Sequence, residues 1–178
     1  MKSTVLFSFA SVLLLSSCSQ QIQSTSAPSQ AITSFYDYQL LSPTGSPLSL
    51  TALPQEIIDA DVILVGEWHT HAAVHRFQTD LFKQLSATNP KLALSMEQFS
   101  RDKQTVVDEY LTGQIGEQTL MSEAKAWPNY ESDYRPLIEI AKKEERDVIA
   151  ANAPKSIVKC IGQQGIRYLD KLDIDETS

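Results

Sequence analysis

Val62-Ile63-Leu64-Val65, closed by Gly66, is a continuous run of β-branched residues and Leu, the pattern of a strand covered on both faces. Helical spacing follows at Phe77, Leu81, Phe82 and Leu85. Lys91 to Glu97 reads as a second strand after the Asn89-Pro90 break. Ser100 is placed to cap a helix with the face Val106, Val107, Tyr110 and Leu111, which Gly113 ends. Residues 117–126 give another short helix. Asp133 is placed to cap the next, with Pro136 in its first turn and Leu137, Ile138, Ile140 and Ala141 as its apolar stripe. Arg146 to Asn152 is a third strand. Alternation at this spacing predicts an α/β domain, a parallel-sheet core with flanking helices and right-handed crossovers. Before it, Tyr36 to Leu41 and Pro47 to Leu50 flank the turn formers Pro43 and Gly45 and predict a small hairpin. "TALPQEIIDA" predicts a short helix.

In an open parallel sheet the ligand crevice lies beyond the carboxyl ends of the strands. Gly66-Glu67-Trp68-His69 follows the first strand, Glu97 closes the second and Asn152 follows the third. The helix starting near Asp133 brings Tyr134 to the same edge. All three histidines, His69, His71 and His75, lie within seven positions of one another here. If a helix starts near Thr70, His71 and His75 stand at i and i+4 and can share one metal ion, with Glu67, His69 or Glu97 as further ligands. The opposing reading has His71 solvating the first turn and His75 packing on the sheet. Glu67 and Glu97 form a second pair, able to divide acid and base roles or bind a cation, though Glu97 serves equally as a strand-end acceptor. No nucleophile elbow, glycine-rich phosphate loop or catalytic serine arrangement is present.

Trp127, Tyr130 and Tyr134 recur at i, i+3 and i+7. A flat, apolar, iron-bearing ligand such as haem needs a slot lined by aromatic and aliphatic groups plus one axial donor, and a tyrosinate suits ferric iron. Arg135 adjoins Tyr134 and favours a phenolate there, as does the positive end of a helix starting near Asp133. Ordinary packing of Trp127 and Tyr130 under a loop is the competing reading.

The chain opens with Lys2, an apolar run from Val5 to Leu15, and Leu15-Ser16-Ser17-Cys18. This is a secretory signal, too short to span a bilayer. Its end resembles the lipobox of bacterial lipoproteins, in which the Cys is lipid-modified, with palmitate among the expected chains, and becomes the first mature residue. Ser19 stands where an inner-membrane retention Asp would stand, which favours the outer membrane. Residues 19–33 are rich in Ser, Gln and Thr and read as a tether. The expected division is a signal peptide over 1–17, a tether over 18–34 and one α/β domain over 35–178. Net charge is −7 with no basic run, which argues against nucleic acid as a partner. With Cys18 lipidated, Cys160 is left without a disulfide partner and reads as an inert helical thiol.

"ILVGEWHTHAAVHRFQ", "LSMEQFSRDKQTVVDEYLTGQI" and "WPNYESDYRPLIEIAKKEERDVIAANAP", with the lipoprotein start, resemble the ChaN-like haem-binding uptake lipoproteins, relatives of the Tiki superfamily. The resemblance runs from Ile63 to Pro154. It implies outer-membrane attachment, haem (haem b, ferric) in a groove with tyrosine ligation, and a part in haem or iron uptake. Tyr134 would then be the axial ligand, with Tyr130 as runner-up, and His69, His71 or His75 would bond or ligate from the facing side. A homodimer sharing haem and an outer-membrane haem receptor are the further partners implied. Family members usually carry more strand–helix units after "AANAP", so an incomplete domain, a truncated product or fragment, is expected. The alternative from another class is a metal-dependent hydrolase, since that wider superfamily includes metalloproteases and esterases. Glu67, His69 and Glu97 would bind its ion.

Overall fold

The computed structural model describes residues 31–172. The expected signal peptide, Cys18 and nearly all of the tether lie outside the described residues.

β1 (Leu40–Leu41) and β2 (Pro47–Leu48) pair antiparallel, with Leu40 opposite Leu48. The Gly45 N–H donates to the Ser42 carbonyl at 2.9 Å, and Gly45 takes a φ of +84° that favours glycine at this turn. This is the expected hairpin. The short helix α1 (Gln55–Ile58) follows, also as expected.

The departure comes at Val62–Val65, which joins no sheet: Val62 is 72% and Leu64 90% exposed. The sheet itself explains why. It consists of β3 (Leu94–Ser100) and β4 (Val148–Asn152) in parallel, with Leu94 opposite Val148 and Met96 opposite Ala150. Met96, Gln98, Val148 and Ala150 are buried, whereas Ser95, Glu97, Ile149 and Ala151 are exposed. Helices therefore cover one face alone, and a run built for burial on both faces finds no second layer among the described residues.

The helices fall close to the periodicity. α2 (Ala72–Ser86) buries Ala73, His75, Leu81 and Phe82, and leaves Phe77 and Leu85 half-buried. A 3-10 turn, Arg101–Lys103, leads into α3 (Gln104–Leu111); the Ser100 side chain bonds Asp102 instead of capping backbone. α4 (Glu117–Glu123) ends three residues earlier than the sequence suggested. A wide π turn, Tyr130–Tyr134, runs into α5 (Arg135–Lys143), so Asp133 lies inside a turn and is not a helix cap. α6 (Lys155–Gln164) and a 3-10 segment, Ile166–Lys171, complete the described chain; Cys160 is a free thiol, half-buried on α6.

The core lies between the covered sheet face and helices α2 to α5. Phe99, Val107, Leu120, Tyr134, Ile138 and Ala141 are wholly buried. Each large side chain so buried contributes roughly 1.5–3 kcal/mol. The Gln104 side chain docks on β4, donating to the Val148 carbonyl at 2.8 Å and accepting from the Ala150 N–H at 2.7 Å. It occupies two hydrogen-bonding groups of that strand.

Three helices close in one way. The Gln114 N–H donates to the Glu109 carbonyl, Ala126 to Met121 and Arg146 to Ala141, with Gly113, Lys125 and Glu145 in the left-handed region between. Glycine suits that place; Lys125, at a φ of 57°, and Glu145 pay for their side chains. Among the described residues no helix is long and apolar enough to cross a membrane.

Candidate functional site

Glu67 stands at the centre of a half-buried cluster near the carboxyl end of β3. Its Oε1 accepts from His69 Nδ1 at 2.8 Å, Gln98 Nε2 at 2.9 Å and the Tyr134 hydroxyl at 2.9 Å. Its Oε2 accepts from Gln78 Nε2 at 2.8 Å, and His75 Nδ1 lies 3.9 Å away. Burial alone would raise the Glu67 carboxyl; the bonds from Gln78, His69 and Tyr134, with His75 close by, outweigh it and hold the group below its ordinary value.

A second layer fixes the first. His75, buried on α2, meets Gln78 through Nδ1 at 3.0 Å, and its Nε2 lies 3.2 Å from the His69 carbonyl and 3.6 Å from Asp133. Asn129 donates to the same His69 carbonyl and to Asp133, each at 2.7 Å. Trp127 stands edge-on to His69 at 4.8 Å and to Tyr134 at 5.9 Å, and His75 edge-on to Tyr134 at 4.9 Å.

The expected crevice residues thus separate. Glu67, His69, His75, Trp127 and Tyr134 come together. His71 sits one residue before α2, which begins at Ala72, and is exposed beside Trp68, whereas His75 is buried within the helix. Glu97 is exposed on the open sheet face, since β-alternation turns Gln98 toward Glu67 and Glu97 away. The hydrolase reading therefore keeps Glu67 and His69 and loses its third donor. Among the described residues no group of three or more His, Cys, Asp or Glu side chains is arranged to hold a metal ion.

The two tyrosines differ. Tyr134 is fully buried and donates to Glu67; burial and that carboxylate push its phenol up to about 12. Tyr130 lies in the core against Phe99, and its buried hydroxyl has no hydrogen-bond partner among the described residues. Burial, reinforced by Tyr110, Glu117 and Glu139, raises its phenol as well. Arg135 binds Glu117 and Glu131, so its charge is spent on carboxylates.

Gln78, Gln98 and Asn129 were not singled out in the sequence. Strand alternation from Met96 points to Gln98, and the i, i+3 spacing from His75 points to Gln78.

Two recesses flank the cluster. One, of about 420 Å³, opens at the carboxyl ends of β3 and β4; Gln98 and Trp127 belong both to its wall and to the Glu67 cluster. The other, of about 450 Å³, is a shallow depression beside Glu67, Trp68, His71 and Val74.

In this α/β domain a carboxylate, imidazoles and aromatic rings gather beside a recess at the carboxyl ends of parallel strands, the place where open parallel sheets bind ligands. The chain belongs to the family described as haem-binding uptake, Tiki superfamily, ChaN, whose model matches residues 53–177. No curated protein and no solved structure matches it. Haem is accordingly the ligand, and haem-binding uptake of the ChaN type the general function. The side chains present fit that ligand. Trp127 offers an indole beside a cavity, and His69 Nε2 makes no hydrogen bond among the described residues while Nδ1 is tied to Glu67.

Proposed function

We propose that this protein is a lipid-anchored haem-binding protein of the outer membrane, tethered through Cys18, that holds ferric haem b at the Glu67 cluster as a step in haem or iron acquisition. An outer-membrane haem receptor is the partner such a step requires. One observation carries the choice of site. His69 is 56% exposed, its Nδ1 is fixed by Glu67, and its other ring nitrogen is left to face a ligand beside Trp127. A carboxylate behind an imidazole fixes the orientation of the ring and which of its nitrogens is left free. When bound, haem supplies the iron that is the cargo; the chain's own work is to orient His69, present Trp127 to the porphyrin plane and limit water at the buried side.

Tyr134 is the second donor of the cluster. Its hydroxyl already points at Glu67, so the carboxylate is at hand to take the phenolic proton. Against this stand its complete burial and a phenol raised to about 12. A visible absorption titration with hemin separates the two, using the chain with Cys18→Ser to remove the lipid site. His69→Ala is expected to change the band positions and weaken binding, with Tyr134→Phe leaving them in place. The reverse pattern, with loss of a ferric-tyrosinate charge-transfer band in Tyr134→Phe, assigns the iron to the phenolate. Absence of any hemin complex in the parent removes the haem reading.

Anchoring has its own test. Acyl chains add roughly 0.8 kcal/mol per buried CH₂. Cys18→Ala is expected to leave the membrane fraction and to incorporate no labelled palmitate; retention of both would end the lipoprotein reading.

A further inference from the structure

The 420 Å³ cavity is lined by three lysines that the sequence scatters widely: Lys103 before α3, Lys125 after α4 and Lys155 at the start of α6. One carboxylate, Asp102, shares the lining; it lies 3.4 Å from Lys103 and accepts a bond from Ser100. Lys125 and Lys155 make no ion pair or hydrogen bond among the described residues. The cavity therefore carries a surplus of two positive charges in a protein whose net charge is −7. Such a local reversal of sign marks a place for an anion.

Two further observations converge. Lys125 occupies the left-handed position that ends α4, where glycine costs least, and it belongs to the cavity lining. α6 starts at the cavity without a side-chain cap, leaving its first N–H groups and its positive end toward the same space.

Part of the lining has another character. Ala124, Ala153 and Pro154 are apolar, and Trp127 joins the cavity to His69 and Tyr134. A ligand that fits has a flat apolar body for Trp127 and a carboxylate-bearing edge for the lysines. We infer that Lys103, Lys125 and Lys155 form the carboxylate-recognition subsite for the two propionates of the porphyrin, fixing which edge of the ring enters and how its plane meets Trp127. This rests on the haem reading and adds to it the orientation of the ligand and the source of its selectivity.

The test titrates the full chain in neutral detergent with hemin and, separately, with hemin dimethyl ester, which has the same ring and iron but no propionate charge. The variants are Lys125→Gln/Lys155→Gln and Lys103→Gln. The parent is expected to prefer the diacid by about ten-fold or more, a preference that weakens with salt. The double variant is expected to lose that preference while binding the ester as the parent does, with unchanged circular dichroism. Lys103→Gln is expected to lose less, because Asp102 already occupies part of its charge. Equal affinity of the parent for diacid and diester overturns the subsite, as does a double variant that binds hemin like the parent. A parent that binds neither compound overturns the haem reading and the subsite with it; one that binds both alike overturns the subsite alone.

Discussion

The Glu67 cluster and the lysine-lined cavity share Gln98 and Trp127, yet they are built on opposite terms. Around Glu67 four donors meet one carboxylate, and His75, Asn129 and Asp133 brace them from behind. In the cavity wall that Gln98 and Trp127 share, Lys125 and Lys155 have no partner among the described residues. A satisfied polar network stabilises the fold and resists change. Unpaired charges at an open edge add nothing to the fold and keep their interaction energy for what binds. The difference is between a network satisfied within the fold and charges that the fold leaves unpaired.

Mutations should sort along that line, beginning with the largest effect. Glu67→Ala leaves Gln78, Gln98 and Tyr134 donors without their acceptor, and is expected to lower unfolding free energy by about 3 kcal/mol in urea. A loss below about 0.5 kcal/mol would erase the contrast between the two regions.

Acidification should act on the same network. The folded Glu67 carboxyl titrates below its ordinary value of 4.5, so its contribution is fully present above that pH and is lost as pH falls through the lower folded value. Thermal scans from pH 6 to pH 3 should show the parent losing stability that Glu67→Ala no longer has to lose. Parallel curves for the two proteins would contradict the assignment.

Smaller effects follow. Tyr134→Phe removes one of four donors to Glu67 and keeps the ring, and should cost about 1 kcal/mol. Lys125→Gly relieves the left-handed strain and should raise stability by about 1 kcal/mol, the opposite sign, while weakening hemin binding. His71→Ala, at an exposed position, should change stability by no more than about 0.5 kcal/mol. If the lysine variant is destabilised like the tyrosine variant, the cavity is part of the scaffold after all.

Much of this arrangement could be read from the residues. Periodicity places α2, α5 and β4, turn chemistry places the hairpin, and the rule for parallel sheets points Glu67, His69 and Tyr134 to one edge, although the strand before Glu67 on which that reading relied does not form. What escaped depends on partners distant in sequence. Val62–Val65 has the composition of a central strand, but composition cannot say whether a second layer will cover it. The phenol of Tyr134 was read as favoured toward ionisation from Arg135 and a helix start; the fold gives Arg135 to Glu117 and Glu131, and gives Tyr134 to Glu67. The three lysines lie too far apart in the chain to form a basic run, so only tertiary structure reveals them as a group.

The parallel pairing of β3 with β4 carries a consequence in time. Its partners lie roughly fifty residues apart, with α3, α4 and α5 between them. Closing a loop of that length costs about 3–4 kcal/mol of chain entropy before any strand contact repays it. Sheet formation therefore falls late on the route to the native state, after the local helices. The lysine cavity draws its walls from the ends of both strands, so it exists only once that closure is complete. Whatever occupies it acts as a latch on the whole molecule: at a hundred times its dissociation constant, a ligand adds about 2.7 kcal/mol to global stability. Protease survival and unfolding temperature thus become reporters of cargo, and loaded and empty chains differ in lifetime as well as in colour.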